Sequence, residues 1–190
     1  MRIKDGMFGI NGNTYSNRGM NLEDDISKSN EFYLVNDIAA IYKKPTPITI
    51  AKVDYPSNII KEGYFRIPST TDYNGIYRGK YIDFDAKETK SKTSFPLENV
   101  HEHQLKHLKM IYKHGGIGFL IVRFTTINKT FLLPIEKIAS FIDESKRKSI
   151  PLSFFESDGY LIPDKYSPRV DYLKVLDMIY FGGVKWKRIF

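Results

Sequence analysis

The 190-residue chain contains no cysteine. This excludes disulfide bonds, thiolate zinc sites and a cysteine nucleophile. The chain also lacks an apolar run long enough to span a membrane, and it has no apolar segment of the kind found in secretory signals. A chain without disulfides is compatible with a reducing compartment, and we expect a cytoplasmic protein.

Positive charge is in excess in the composition. The chain has 29 Lys and Arg against 22 Asp and Glu, which gives a net charge of +7. Such an excess favours a polyanionic partner without identifying one. The length is that of one domain, so we predict a single domain over residues 1–190, with a flexible arm at residues 1–15.

The most informative stretch runs from residue 70 to residue 90 and reads TTDYNGIYRGKYIDFDAKETK. Polar and apolar residues alternate in its second half. A strand would therefore place Asp83, Asp85 and Lys87 on one face and the apolar residues between them on the other.

Asp72 lies upstream of this alternation and is followed by Asn74-Gly75 and Gly79, which are turn signals. We therefore expect Asp72 and Asp85 on neighbouring strands, with their carboxylates converging.

Two converging carboxylates and a lysine suit metal-assisted hydrolysis of a phosphodiester. Hard oxygen ligands select Mg²⁺ or Mn²⁺, and such an ion lowers the pKa of a bound water. The Lys87 ammonium would orient that water and offset the developing charge. The arrangement resembles that of PD-(D/E)xK nucleases, with Asp72 as the first acid and Asp85-Ala86-Lys87 as the (D/E)xK. The tripeptide alone is also compatible with an exposed, salt-bridged strand face.

The pattern at residues 45–69 predicts a long hairpin, inserted before the strands expected to carry Asp72 and Asp85. Lys44-Pro45-Thr46-Pro47 cannot be helical and starts an extended excursion, and alternating apolar residues follow it. The hairpin carries the basic residues Lys61 and Arg66. Phe65 is the candidate for wedging or stacking against DNA bases. The alternative is a meander packed on the sheet, with Phe65 as a core aromatic.

Further blocks along the chain resemble one family, in family order from about Tyr15 to Tyr180. They are YSNRGM at 15–20, LEDD at 22–25, KKPTP at 43–47, TTDYNG at 70–75, IDFDAKETK at 82–90, TSFPL at 93–97, HQ at 103–104 and YSPRVDY at 166–172. They resemble the RecU family of bacterial Holliday-junction resolvases. The chain departs from that family at Asp85, where Glu is common, and its arm before Tyr15 looks short.

The resemblance implies an α/β, restriction-endonuclease-like fold, with a mixed central sheet flanked by helices and a protruding β-hairpin stalk that inserts into the junction. It implies a Mg²⁺-dependent endonuclease that resolves Holliday junctions by paired nicks in recombination and DNA repair, with Mn²⁺ as a substitute ion. It also implies a homodimer that binds a four-way DNA junction, with a RecA-type recombinase as a further partner.

The resemblance also implies roles for individual residues. Asp72, Asp85, the Ala86 carbonyl and Glu23 would hold the metal. Lys87 would act beside them, and Gln104 and Thr70 would support the site.

Several of these residues have a second interpretation. Glu23 is also a plausible solvated acid near the start of a helix predicted over residues 16–36, where the helix dipole favours negative charge. Gln104 is also a plausible exposed residue of a helix predicted over 96–113. Arg18 and Lys90 are candidates for phosphate contact or ordinary surface charges. His103 and His107 lack a matched third zinc ligand.

The remaining pattern predicts buried strands at 117–124 and 130–133, a helix at 135–143, an irregular segment at 151–163 and a last helix opened by Ser167-Pro168. Two other functions stay open. One is a nuclease of the same fold that acts on other DNA structures. The other is a non-catalytic protein that binds junctions or modulates a recombinase.

Overall fold

The computed structural model describes residues 21–65 and 70–182. Its helices are α1 (Leu22–Val35), α2 (Glu102–Lys113), α3 (Ile135–Glu144), α4 (Leu152–Ser157) and α5 (Tyr172–Tyr180). Its strands are β1 (Ala40–Lys43), β2 (Ile48–Asp54), β3 (Ile59–Phe65), β4 (Tyr73–Tyr77), β5 (Lys80–Thr89), β6 (Ser94–Pro96), β7 (Ile117–Phe124), β8 (Lys129–Pro134), β9 (Ser149–Pro151) and β10 (Tyr160–Ile162).

Six strands form the central sheet in the order β1-β4-β5-β7-β8-β10. The β5–β7 pair is parallel, with α2 in the connection, and the other neighbours are antiparallel. One face packs against α1 and α5 and the other against α2, α3 and α4, so each face has its own apolar core. The predicted mixed α/β architecture, with a central sheet flanked by helices, is confirmed.

Strand β5 lies inside the central sheet. Because its apolar residues pack in the core on one face, the polar residues that alternate with them face α2. The Phe84 ring stacks on Tyr73 and on Phe119, with ring centroids 4.9 and 4.7 Å apart. A slip of one residue would move Phe84 out of this stack and the acids into the core. The predicted alternation along β5 is therefore confirmed, because the apolar residues lie in the core formed with α1 and α5.

The turn between β4 and β5 lies at Arg78 and Gly79, which both have positive φ, of 48° and 74°. This is the backbone that a tight hairpin requires. The reading of Asn74-Gly75 as a turn is wrong, because both residues lie within β4. Gly75 is needed there for another reason. A Cβ atom would lie 2.1 Å from the Ala40 carbonyl oxygen on β1.

Among the described strands, β2 and β3 pair only with each other, as a hairpin outside the central sheet. None of its residues from 48 to 65 is buried. This confirms the predicted protruding hairpin and rules out a meander packed on the sheet for these residues. Arg66 and residues 67–69 lie outside the described residues.

Three predicted helix boundaries are wrong. Helix α1 starts at Leu22 rather than residue 16, because Asn21 is extended and its side chain caps the helix at the Asp24 N–H, 2.8 Å away. Helix α2 starts at Glu102, because Pro96 ends β6, which pairs with β9. Helix α5 starts at Tyr172 rather than near Ser167, because Val170 forms a bridge with Asp164.

The segment 151–163 was predicted to be irregular, and this is also wrong, because it contains α4 and β10. None of the helices in the described part of the chain has the length and apolarity that a bilayer crossing requires. That residues 1–190 form one domain stays a prediction, since the predicted arm at 1–15 lies outside the described residues.

Candidate active site

Two fully buried aspartates, Asp83 and Asp85, lie on the face of β5 that α2 covers. They are two residues apart on the strand, so they share a face. Helix α2 brings Gln104 and His107, one turn apart, over the same two positions. A buried carboxylate is costly unless it is paired, so this face requires specific partners.

Asp72 lies directly before β4 and next to Asp85. The register that pairs Tyr73 with Phe84 continues to place Asp72 opposite Asp85. The Asp72 Oδ2 atom accepts a hydrogen bond from the Ala86 N–H, at 3.1 Å. In an extended strand the N–H and C=O of one residue point to the same side, so the Ala86 carbonyl also points to the side of β5 on which Asp72 lies.

The Asp72 carboxylate perturbs Asp85. Burial, followed by the hydrogen bond and the charge of Asp72, raises the pKa of Asp85 to about 7, while the Lys87 ammonium acts in the opposite direction. Two acids that share a site repel each other when both are ionised. The structure therefore brings together the two carboxylates that the sequence predicted would converge.

Lys87, two residues beyond Asp85 on the same face of β5, completes the group. Its Nζ lies 2.6 Å from Asp85 Oδ2, and 22% of its side chain is exposed. Asp85 Oδ2 makes this ion pair but has no partner with hydrogen-bond geometry among the described residues. A buried carboxylate oxygen without a hydrogen bond has free capacity to bind a cation.

Gln104 holds the other oxygen of Asp85. Its Nε2 donates to Asp85 Oδ1 at 3.1 Å, and its Oε1 accepts from the His101 N–H at 3.0 Å. The side chain is buried, so the alternative of an exposed helix residue does not apply. Gln104 thus contacts the candidate metal ligand, as its predicted supporting role requires.

Glu23 and Thr70 lie at the edge of the group. The Glu23 carboxylate is 2.6 Å from Lys43 Nζ, and 45% of its side chain is exposed. Within residues 21–65 and 70–182, no three Asp, Glu, His or Cys side chains are arranged to bind one ion. Glu23 as a metal ligand therefore stays a prediction. Thr70 is exposed, with its Oγ1 3.3 Å from Lys44 Nζ.

The predicted DNA-contacting residues are exposed where the structure describes them. Phe65 is 84% exposed, which excludes a core role in this structure. Lys61 pairs with Asp54 at 2.8 Å on the hairpin surface, and Lys90 is exposed just beyond β5. Arg18 and Arg66 lie outside the described residues, so their DNA contacts stay predictions.

Sequence reasoning missed a second group around Asp83. Lys44, Thr71 and His107 all contact this carboxylate. The alternation along β5 did place Asp83 on the polar face, and that was the available signal. It did not reveal the partners, because they come from distant parts of the chain.

The site combines two converging aspartates, a lysine two residues beyond the second and a supporting glutamine. These features place the protein in the class of candidate metal-dependent phosphodiesterases. Comparison with known proteins specifies the family. The family profile described as RecU, Recombination protein U, matches residues 17–178. The chain therefore belongs to the RecU family, and the resemblance found in its sequence is confirmed.

Curated relatives agree with the family profile. Proteins named Holliday junction resolvase RecU from Bacillus cereus (strain B4264) and Bacillus mycoides (strain KBAB4) are each 51% identical to this chain. Both alignments run over 179 residues and cover 91% of this chain and 90% of the relative.

One solved structure, of the Holliday junction resolvase Hjc from Archaeoglobus fulgidus, covers 68% of this chain and 87% of its own, at 13% identity and a TM-score of 0.41. That likeness is too distant to support a conclusion about this chain.

Membership of a resolvase nuclease family implies dependence on a divalent metal ion. The residues present fit such an ion. Asp72 and Asp85 supply hard carboxylate oxygens. In the described part of the chain, the buried Oδ2 of Asp85 has the Lys87 ammonium beside it but no partner with hydrogen-bond geometry. Burial is the main cause of the raised pKa of Asp85, and the charge of Asp72 adds to it. A divalent cation bound to this pair would offset both the burial and the repulsion.

Proposed function

We propose that this protein is a structure-selective endonuclease that resolves Holliday junctions by hydrolysing phosphodiester bonds in paired nicks, with Mg²⁺ as its ion and Mn²⁺ as a substitute. The observation that carries the proposal is the pairing of Asp72 with Asp85 beside Lys87, on a chain of the RecU family. Curated relatives that are 51% identical carry the name Holliday junction resolvase.

Asp72, Asp85 and the Ala86 carbonyl would hold the ion, with Glu23 as a further ligand. A bound divalent ion supplies Lewis acidity at the phosphate and lowers the pKa of a water. Among the chain's own groups, Gln104 keeps Asp85 in one orientation through its hydrogen bond to Oδ1. Thr70 would support the same site from its edge.

Lys87 has a separate role in this proposal. Its ammonium lies beside Asp85 on a partly exposed side chain, where it would orient the attacking water and offset charge that develops on the phosphate. Because the ammonium is already held beside Asp85, little reorganisation is needed when the phosphate arrives.

The hairpin supplies recognition of the junction. A four-way junction has an open centre, and the exposed hairpin suits insertion there. Phe65 is exposed on β3 opposite Ile48, at the base of the hairpin, where it would stack against bases that reach this end. Lys61, Arg66, Arg18 and Lys90 are proposed phosphate contacts. They would make binding weaken steeply with salt, because counterions are released when phosphates are neutralised.

We also propose that the protein works as a homodimer. A junction presents two equivalent strands to be cut, and a two-fold symmetric pair of sites matches that symmetry. A RecA-type recombinase is a further proposed partner, and a cytoplasmic location stays a prediction from composition.

The test is cutting of a labelled four-way junction by the purified protein, with and without Mg²⁺, against a linear duplex of the same sequence. We expect paired, symmetric nicks in the junction that require the ion. Equal cutting of the linear duplex would favour a nuclease for other DNA structures. Tight junction binding with no nicking in either Mg²⁺ or Mn²⁺ would favour the non-catalytic alternative.

A further inference from the structure

A second buried polar cluster lies beside the acidic pair and has no role in the chemistry described above. We call it the Asp83 clamp, and it consists of Lys44, Thr71, Asp83 and His107. Asp83 Oδ2 lies 2.8 Å from Lys44 Nζ and 3.0 Å from His107 Nε2, and it accepts a hydrogen bond from the Tyr81 hydroxyl at 3.0 Å. The Thr71 hydroxyl donates to the other carboxylate oxygen.

Lys44 connects the two ends of the hairpin to the catalytic strand. It follows β1 directly, where the chain leaves the sheet toward the hairpin. Thr70 and Thr71 lie where the chain returns, and the Lys44 ammonium donates to both hydroxyls. The same ammonium reaches Asp83 on β5, so one cation joins three separate segments at this point.

Lys44 also holds the backbone of Asp72. Its N–H donates to the Asp72 carbonyl at 2.7 Å. Asp72 lies just outside β4, so the β4–β5 ladder ends at its neighbour Tyr73. The bond to the Asp72 carbonyl is made by the Lys44 backbone and does not depend on its side chain. The Lys44 ammonium and the Asp83 carboxylate both bind the hydroxyl of Thr71, the residue directly before Asp72. The side-chain contacts of the clamp therefore act on Asp72 through its neighbour.

Direct contact with DNA is a poor explanation for this pair. The Asp83 side chain is completely buried and only 15% of the Lys44 side chain is exposed. Burying an ion pair is costly, and apolar residues of similar volume often stabilise a fold equally well. Asp83 lies two residues from Asp85 on the same face of β5, and the Lys44 backbone bonds to Asp72. This location points to a role in the site.

We propose that Lys44 and Asp83 are positioning residues for the nuclease reaction, and that they hold Asp72 at the separation from Asp85 that cutting requires. The inference rests on the proposed function. A displacement of reacting groups by 1 Å can lower a rate by about 100-fold. Loss of the pair should therefore slow cutting and leave junction binding, which depends on exposed residues, nearly unchanged.

The test compares four variants with the wild type. Lys44→Met removes the cation and keeps the length, and Lys44→Arg keeps the charge. The double variant Lys44→Met/Asp83→Asn removes both buried charges, so neither is left unpaired. Lys137→Met is the control, because it breaks an ion pair with Asp158, at 3.3 Å, on another part of the surface.

Three quantities are measured: the cutting rate at saturating protein, the junction Kd without divalent ions, and the thermal unfolding midpoint. We expect Lys44→Met to cut about 100-fold more slowly while its Kd stays within about threefold of wild type. The double variant should match Lys44→Met rather than multiply the loss, because the two residues act as one unit. Lys44→Arg should recover most of the rate, and the control should match the wild type.

A folded Lys44→Met or double variant that cuts at the wild-type rate would overturn the inference and leave the proposed function intact. Equal losses in rate and in junction affinity would also overturn it, since they would indicate DNA contact. If Lys44→Met does not fold, the double variant decides by the same criteria. A wild-type protein that never cuts the junction would overturn the proposed function, and this inference with it.

Discussion

Asp85 and Phe65 are both central to the proposed reaction, and their surroundings are opposite. Asp85 is fully buried, and Gln104 and Lys87 contact its two carboxylate oxygens. Phe65 is 84% exposed, on a hairpin whose described residues bury no side chain. The hydrophobic core that stabilises the sheet also holds the candidate active site in place, whereas no hydrophobic core stabilises the described residues of the hairpin.

This difference indicates what stabilises the active site and what stabilises the hairpin. An isolated two-stranded hairpin is marginally stable in water, so its partner should help to order it. Its exposed apolar side chains are consistent with a binding surface, and those above 40% exposure are Ile48, Ile50, Tyr55, Ile59, Ile60, Tyr64 and Phe65. We therefore expect changes in the sheet to alter chemistry and changes in the hairpin to alter recognition.

Asp85→Ala should cause the largest loss of junction cutting while junction binding is retained. Removing this carboxylate should lower junction cutting by about a thousandfold or more, because the proposed ion loses a ligand and Lys87 loses its partner. Junction affinity measured by gel shift without divalent ions should persist. Asp143→Ala, at an exposed acid on α3, is the matched control. Normal cutting by Asp85→Ala would show that the site assignment is wrong.

Among changes in the sheet, Lys87→Met should cause the next largest loss of junction cutting. Its loss should slow cutting by about 100-fold at saturating protein, because an ammonium aimed at the developing charge is removed. The two acids remain, so Mn²⁺ should still bind, which calorimetry can check. Lys137→Met serves as the control for losing a partly exposed lysine. A rate within twofold of the control would exclude a role for this ammonium in the reaction.

Phe65→Ala tests the hairpin side. Stacking on a base contributes about 1–3 kcal/mol, so junction affinity should fall by about 5- to 150-fold. The free energy of unfolding should change by less than about 0.5 kcal/mol, because the ring is exposed. Tyr166→Ala, at a 99% exposed aromatic outside the hairpin, is the affinity control.

The same experiment has a counterpart in the core. Phe84→Ala, at a ring stacked between Tyr73 and Phe119, should cost about 3–5 kcal/mol of unfolding free energy. If Phe65→Ala destabilised the protein as much as Phe84→Ala, the contrast between hairpin and sheet would be wrong.

The smallest expected effect is that of Lys61→Ala. An exposed ion pair such as Lys61–Asp54 contributes about 0–1 kcal/mol, so stability should hardly change. If Lys61 contacts a phosphate, the slope of log K against log salt concentration should fall by about one unit. Lys129→Ala provides a second exposed, ion-paired lysine for comparison. An unchanged slope would remove Lys61 from the proposed DNA contacts.

Prediction from the sequence was most accurate where the hydrophobic pattern was strong and fitted only one kind of secondary structure. The alternation from Ile82 to Lys87 gave the two faces of β5, and the apolar run at 117–124 gave β7 with both ends correct. Gln104 was also predicted to support the site, although that came from the family resemblance. Its contact with Asp85 joins residues 19 apart in sequence.

The sequence predicted worst where elements are short or held by distant contacts. Helix α4 has six residues and β10 has three, which is too short for any periodicity to register. The start of α5 depends on Val170, whose N–H bonds to the Ser29 side chain on α1. The Asp83 clamp was missed for the same reason, since Lys44 and Asp83 are 39 residues apart.

The most direct measurement is the position of Mn²⁺ in crystals of the protein, found by anomalous scattering. The account predicts one strong peak about 2.0–2.2 Å from carboxylate oxygens of both Asp72 and Asp85, within reach of the Ala86 carbonyl. A manganese peak bound elsewhere, with the Asp72 and Asp85 side chains turned away from each other, would contradict it.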